Sequence, residues 1–85
     1  MPYDILRDSI ALEPAGDAIR FHLAVFGVEK TCRISMTALR SLDHGQGGDW
    51  LLIFDADRLR IGQRAFAYLS RDLRVSSVVL RALDF

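Results

Sequence analysis

The sequence has little of several features that would assign it at once to a functional class. Its 85 residues include one cysteine, Cys32, so no intramolecular disulfide can form, whereas a secreted domain of this size usually carries several. Its apolar runs reach five residues, as in 50–54, far short of the ~20 that a transmembrane helix needs. Charges at Asp4, Arg7 and Asp8 interrupt the stretch where a signal peptide has its apolar core. These absences predict a cytoplasmic protein with no membrane partner.

An excess of charge of one sign is also missing. Eleven Lys and Arg balance eleven Asp and Glu, so the chain lacks the broad positive field of a protein that binds nucleic acid. Arg60, Arg64 and Arg71 lie on the polar face of a predicted helix, but residues 50–85 hold six Arg and four Asp, which is a weak field. The charge pattern therefore argues against a nucleic-acid partner.

The composition is that of a globular domain, with 51% hydrophobic and 26% charged residues. We therefore expect residues 1–85 to fold as one compact domain. Residues 18–25 alternate between apolar and polar or small side chains, which is the period of a strand with one buried face. The alternation resumes over 28–34, so these two segments predict a hairpin with Cys32 on its buried face. Residues 9–12, followed by a turn-rich segment, predict an additional edge strand.

The second half of the sequence changes to a helical period. Ser35 is predicted to cap a short helix over 36–43, and Gly45 is predicted to end it. Asp49 is then predicted to cap a long helix over 50–71, whose length would be about 33 Å. The arc of this helix expected to face the core contains Trp50, Leu51, Phe54, Ile61, Ala65, Tyr68 and Leu69.

Two further features complete the expected fold. Gly62 lies at the edge of the apolar arc of the long helix, where a close backbone approach would explain a glycine. Residues 75–85 are apolar and β-branched enough for a last strand. The resulting β-β-β-α-α-β order predicts the α+β class, as a small antiparallel sheet with a short and a long helix packed on one face.

A spaced set of predicted core and cap residues resembles the small bacterial proteins grouped as domain of unknown function family 1488. The residues that carry the resemblance are Phe21, Gly27, Cys32, Ile34, Ser35, Ala38, Leu39, Phe54, Arg58, Ile61 and Ala65. The resemblance covers residues 19–68 and implies an α+β fold with helices on one face of an antiparallel sheet. It implies no activity, and no catalytic or ligand residues can be carried over from it.

Reactive chemistry has no support in the residue spacing. A metal site would draw on His22, His44 and Cys32, but no C-x-x-C or H-x-x-x-H spacing is present, and strand parity places His22 on the face opposite Cys32. Asp55 and Asp57 would diverge by ~200° on a helix and so could not act on one bond. We therefore expect no catalytic residues, no metal and no cofactor.

A second apolar stripe is the most informative feature of the predicted long helix. Leu52, Leu59 and Phe66 recur every seven residues within a ~40° sector, away from the centre of the core arc. The stripe needs a partner of its own. That partner could be the short helix, through Leu39 and Leu42, or a second subunit.

Arg58 is the polar residue that both the helical pattern and the family resemblance single out. It falls inside the apolar arc, so its guanidinium begins from an apolar surface. The side chain could extend its head into water. Alternatively it could form a buried ion pair with Asp84 or with the terminal carboxylate of Phe85.

These observations together predict an interaction or accessory module without enzymatic activity, which self-associates as a homodimer through Leu52, Leu59 and Phe66. The alternative is a small-ligand binding protein or a minor enzyme with a pocket between sheet and helix.

Overall fold

The central hairpin forms as its alternating sequence requires. Strands β2 (Ala18–Val25) and β3 (Val28–Ser35) pair in antiparallel register, with Phe21 opposite Cys32. Both of these side chains are fully buried. Phe26 and Gly27 join the strands with φ angles of 50° and 80°, the positive values of a type I′ turn, whose twist matches that of the flanking strands.

Two further strands extend the hairpin into a mixed sheet. In the computed structural model, which describes residues 2–43 and 48–85, β1 (Tyr3–Leu12) pairs antiparallel with β2, and β4 (Ser77–Leu80) pairs parallel with β3. The order across the sheet is β1-β2-β3-β4. The α+β class is thus confirmed, and the order of strands and helices matches the prediction apart from one additional helix. The sheet is not wholly antiparallel, because a helical crossover connects β3 to β4 and returns the chain in the same direction.

The first strand is longer than its sequence pattern indicates. It begins at Tyr3 and not at residue 9, and its register against β2 shifts between Leu6 and Ala11. The Ser9 hydroxyl bridges this bulge, since it donates to the carbonyl of Leu6 and accepts from the His22 N–H at 2.8 Å. The bulge interrupts the alternation of apolar side chains, and this interruption hides the strand from sequence reasoning.

The short helix agrees with expectation. Helix α1 (Met36–Leu42) is capped by Ser35, whose hydroxyl accepts the Ala38 N–H at 3.1 Å. The expected stop at Gly45 and the loop over 44–47 lie outside the described residues.

The prediction of one long helix is wrong. The segment forms α2 (Trp50–Ala56) and α3 (Arg58–Leu69), separated by Asp57 with φ −108° and ψ 18°. Helix α2 packs against α1, whereas α3 packs against the sheet. A straight helix of about 33 Å could not turn between these two partners, and it would be nearly as long as the 35 Å longest dimension of the molecule. Asp49 precedes α2 in extended conformation but makes no side-chain cap bond.

The break at Asp57 also changes which helical positions reach the core. Helix α2 buries Ile53 and Phe54, whereas the buried residues of α3 centre on Ala65. At 100° per residue, the two buried arcs differ by about 80°. Leu51 and Tyr68, both expected in the core, are therefore 45% and 36% exposed.

Gly62 marks a close contact between α3 and the sheet. A Cβ atom on Gly62 would lie 3.3 Å from Cε2 of Tyr3 and 3.4 Å from Cδ1 of Ile5. The expected close backbone approach is confirmed, and β1 is the element that makes it.

The last strand is shorter than expected, because the chain turns after Leu80. A 3₁₀ turn at Ala82–Asp84 follows, in which the Asp84 carboxylate accepts the Arg81 N–H at 2.7 Å. This local bond competes with further strand pairing. None of the helices in the described ranges has the length and hydropathy needed to cross a bilayer.

Lys30 is a buried charged residue that sequence reasoning missed. It lies on the same face of β3 as Cys32, is 6% exposed, and donates from Nζ to the carbonyl of Leu73 at 2.8 Å. This bond ties the connection between α3 and β4 to the sheet.

We expect Lys30→Met to lower the free energy of unfolding by about 1–3 kcal/mol, because it leaves the Leu73 carbonyl without its charged donor. Urea unfolding provides the measurement. Arg20→Met, at an exposed position of β2, is the matched control, and its effect should stay within about 0.5 kcal/mol. Equal effects of the two variants would contradict a structural role for the Lys30 bond.

Cys32 should react slowly with thiol reagents in the folded protein. Its side chain is fully buried, and burial raises the pKa of the thiol to about 12. At pH 8 we expect the native rate to be at least about 100-fold lower than the rate in urea, because the reactive thiolate is scarce and inaccessible.

The matched control for Cys32 is the double variant Cys32→Ala, Val28→Cys. It moves the thiol to a position of β3 that is 55% exposed. This variant should react at similar rates with and without urea. If the native protein also reacted at equal rates, the observed hairpin register would be contradicted.

Candidate functional site

A groove of about 660 Å³ runs along the outer edge of β1. We call it the edge groove, and its lining residues are Tyr3, Asp4, Ile5, Leu6, Arg7, Arg58, Leu59 and Gly62. Five consecutive β1 residues line it, although successive side chains of a strand point to opposite faces. The edge of the strand therefore forms one side of the groove, and the beginning of α3 forms the other.

The register of β1 indicates which backbone groups face the edge groove. The Phe26 N–H donates to the carbonyl of Pro2 at 2.8 Å, so the backbone of Pro2 points toward β2. Because backbone groups alternate in direction along an antiparallel strand, the N–H and C=O groups of Tyr3 and Ile5 point into the groove. Unpaired groups of this kind make an edge strand a template for further strand pairing.

An apolar surface adjoins this groove. Tyr3 stacks on Phe66 with ring centroids 4.6 Å apart, and Phe26 meets Phe66 edge-on at 5.8 Å. Leu59, on the same helix as Phe66, is 69% exposed, and Phe26 is 60% exposed. We call Tyr3, Phe26, Leu59 and Phe66 the edge patch. Clustered exposed apolar side chains of this kind are typical of interaction surfaces.

The backbone conformation of Phe26 supports the interpretation of the edge patch as an interaction surface. Among the residues that the structure describes, it is the one non-glycine with a positive φ, at 50°. A side chain in this left-handed region costs roughly 1–2 kcal/mol, and asparagine or glycine would fit the turn better. Strained backbone positions of this kind are enriched at functional sites.

The expected seven-residue stripe is not continuous. Leu59 and Phe66 lie on α3, but Leu52 lies on α2, where it is 68% exposed and borders a separate groove beside Leu42. The break at Asp57 separates them. The short helix covers neither leucine of the stripe, since Leu52 and Leu59 are 68% and 69% exposed.

Arg58 and Asp84 are not brought together. Arg58 is half-buried at the edge groove, whereas the Asp84 carboxylate accepts hydrogen bonds from the Tyr68 hydroxyl and the Arg81 N–H. The buried ion pair with Asp84, one of the two alternatives for Arg58, is therefore not formed. The ring of Phe85 lies under the guanidinium of Arg60, at 5.8 Å, and not beside Arg58.

Hydrogen bonding determines the titration of Asp84. The bond from the Tyr68 hydroxyl, followed by the bond from the Arg81 backbone, holds the pKa of the Asp84 carboxyl below its usual range. The same bond to Asp84 raises the pKa of Tyr68. Both groups lie at the surface, so this pair orders the 3₁₀ turn and contributes little to stability.

Two of the arginines that were predicted on the polar helical face, Arg64 and Arg71, contact the same aromatic ring. The guanidinium of Arg64 lies 5.8 Å from the centroid of the Tyr68 ring, and that of Arg71 lies 5.7 Å from the same centroid. Surface contacts of this type orient arginine side chains and contribute roughly 0.5–1 kcal/mol each.

The residues considered for metal binding or nucleophilic chemistry do not lie together in the structure. Cys32 is buried, and His22 contacts the carboxylate of Glu29 on the opposite face of the sheet. His44 lies outside the described residues. Within residues 2–43 and 48–85, no group of three or more His, Cys, Asp and Glu side chains could hold a metal ion. The raised pKa of Cys32, about 12, leaves it without the thiolate that nucleophilic attack requires.

Sequence reasoning found part of this site. It identified Leu59, Phe66 and Arg58, but it missed Tyr3, which precedes the predicted first strand, and Phe26. The signal for Phe26 was present, since a phenylalanine beside Gly27 in a two-residue hairpin turn departs from the usual Asn-Gly pair.

We expect Tyr68→Phe to raise the pKa of Asp84 toward its usual range, because it removes the first cause of the lowered value. Stability linked to Asp84 is present above its unfolded-state pKa and is lost as pH falls through the folded-state value. Removing the Tyr68 bond should therefore flatten this acid dependence. Carboxyl-carbon NMR titration gives the measurement. Arg58→Met is the control and should leave the titration of Asp84 unchanged, whereas an equal shift would show that Arg58 acts on Asp84.

Comparison with known proteins identifies the chain at the family level. No curated protein and no solved structure matches it. The model of the family described as "Protein of unknown function (DUF1488)" matches residues 6–77, which include the hairpin, helices α1, α2 and α3 and the start of β4. The chain belongs to the DUF1488 family.

Proposed function

We propose that this protein is an interaction module that acts without catalysis and self-associates as a homodimer through the edge patch. The observation that carries the proposal is the exposure of Leu59 and Phe26, at 69% and 60%, beside an edge strand of the sheet. An apolar surface that the fold itself leaves open is stabilised when a second surface covers it. A two-fold dimer is the commonest arrangement in which such a surface covers itself.

Two further observations support a surface selected for contact. Phe26 holds its ring at the surface despite an unfavourable backbone conformation. Phe66 packs between Tyr3 and Phe26, so the three rings hold one another in place in the free protein. A rigid aromatic surface loses little conformational entropy on association.

The edge groove also favours a second candidate, a small-ligand binding protein. It lies between sheet and helix, and its volume of about 660 Å³ is within the range of ligand sites. The two functions differ in assembly. A ligand-binding protein needs no dimer, whereas the proposed homodimer would cover this groove.

We expect Leu59→Glu to weaken the homodimer at least ~100-fold, because it places a charge in an apolar contact. Sedimentation equilibrium across micromolar concentrations measures the change. Leu83→Glu is the matched control, since Leu83 is 97% exposed on the 3₁₀ turn and outside the edge patch. A wild-type chain that stays monomeric at every concentration would refute the homodimer and favour the ligand-binding alternative.

A further inference from the structure

We propose that two copies join edge to edge through β1, antiparallel, with Ile5 of one copy opposite Ile5 of the other. This inference rests on the proposed self-association and specifies its geometry. The two four-stranded sheets would form one continuous eight-stranded sheet, with a two-fold axis perpendicular to it at Ile5.

Strand geometry limits the registers that such a dimer can adopt. A two-fold axis perpendicular to the sheet keeps both sets of helices on one face, so each residue lies opposite a residue of the same face. The axis must therefore lie midway between one residue of β1 and the same residue of the second copy. Residues 4–6 are the candidates, because the register of β1 is regular from Tyr3 to Leu6 and shifts after Leu6.

Charge selects among these registers. With Asp4 on the axis, that carboxylate would lie against its own copy. With Leu6 on the axis, Asp4 would lie opposite Asp8 of the second copy. Like charges directly opposite each other destabilise a strand pair. With Ile5 on the axis, Asp4 lies opposite Leu6 and no like charges oppose each other.

The direction of α3 determines which of its residues lie at each end of the edge groove. Gly62 contacts Tyr3 and Ile5, and Phe66, one turn later, contacts Tyr3 and Phe26. Helix α3 therefore advances toward the Tyr3 end of β1 as residue number rises, and its first residue lies toward the opposite end.

One end of the groove is thus aromatic and the other is basic, with Arg7 and Arg58. An antiparallel pair brings the basic end of each copy to the aromatic end of the other. Tyr3 would then lie opposite Arg7 of the second copy, an arrangement that permits cation–π contact on both sides of the axis. A second copy of this chain therefore fits the groove by its own chemistry.

The backbone is prepared for this pairing. The N–H and C=O groups of Tyr3 and Ile5 point into the groove, as the register with β2 requires. The two opposing Ile5 residues would form a hydrogen-bonded pair, in which each N–H donates to the C=O of the other. Asp4 and Leu6 of the second copy would form a non-hydrogen-bonded pair, in which the Cα atoms are closer, about 4.5 Å apart. Such a separation lies within the range that a disulfide spans.

The test is oxidative cross-linking of the full chain. The double variant Asp4→Cys, Leu6→Cys should form a covalent dimer on non-reducing gels, because the thiol at position 4 of each copy faces the thiol at position 6 of the other. The yield should exceed that of either single variant at least tenfold. Cys32 is buried, so the native thiol does not compete.

The single variants are matched controls that report the rejected registers. Cross-linking by Asp4→Cys alone would place Asp4 on the axis, and cross-linking by Leu6→Cys alone would place Leu6 there. Either result overturns the proposed register. If sedimentation shows a dimer but no variant cross-links, edge pairing is refuted while self-association stands. A monomeric wild type refutes both.

Hydrogen exchange of the unmodified protein provides a second measurement that needs no new cysteine. The amides of Tyr3 and Ile5 should exchange at least tenfold more slowly in the dimer than in Leu59→Glu. The Asp4 amide, which points toward β2, is the internal reference and should change little. Equal exchange at Ile5 in both proteins would contradict edge pairing.

Discussion

The contact of α3 with β1 at Gly62 is the constraint on which the candidate site depends. Without a side chain at Gly62, the helix approaches within contact distance of Tyr3 and Ile5. That approach sets Phe66 against the Tyr3 ring and leaves Leu59 beside the strand edge. A Cβ atom at this position would press on the side chains of Tyr3 and Ile5, which would have to shift by a few tenths of an ångström, and the groove and the aromatic contact would change with them.

The edge of β1 is open along its first half only. Sheet edges are usually protected by charges, bulges or covering elements. Here the bulge between Leu6 and Ala11 protects the second half of the strand. The first half carries Asp4 and Arg7 but keeps a regular run between them, and α3 borders this run without covering it. The fold therefore limits any strand pairing to a short segment, and side-chain contacts of the edge patch must supply the rest of an interface.

Sequence periodicity predicted those elements whose partners are close in the chain. The hairpin followed from alternation alone, and with it the burial of Cys32. The Ser35 cap followed from local hydrogen bonding. The break at Asp57 could not be predicted this way, because 22 residues with helical period are compatible with one helix or two. Packing decided between them, since α2 and α3 contact different layers.

The sequence by itself determined the α+β class, the buried face of the hairpin and the membership of Leu59 and Phe66 in an apolar surface, because these depend on local period and composition. Only the tertiary structure decided that Leu52 is separate from that surface, that Tyr3 and Phe26 complete it, and that Asp84 pairs with Tyr68 and not with Arg58. These contacts join residues distant in the chain. Their partners are set by the angle between helices and the register of strands, which no local pattern encodes.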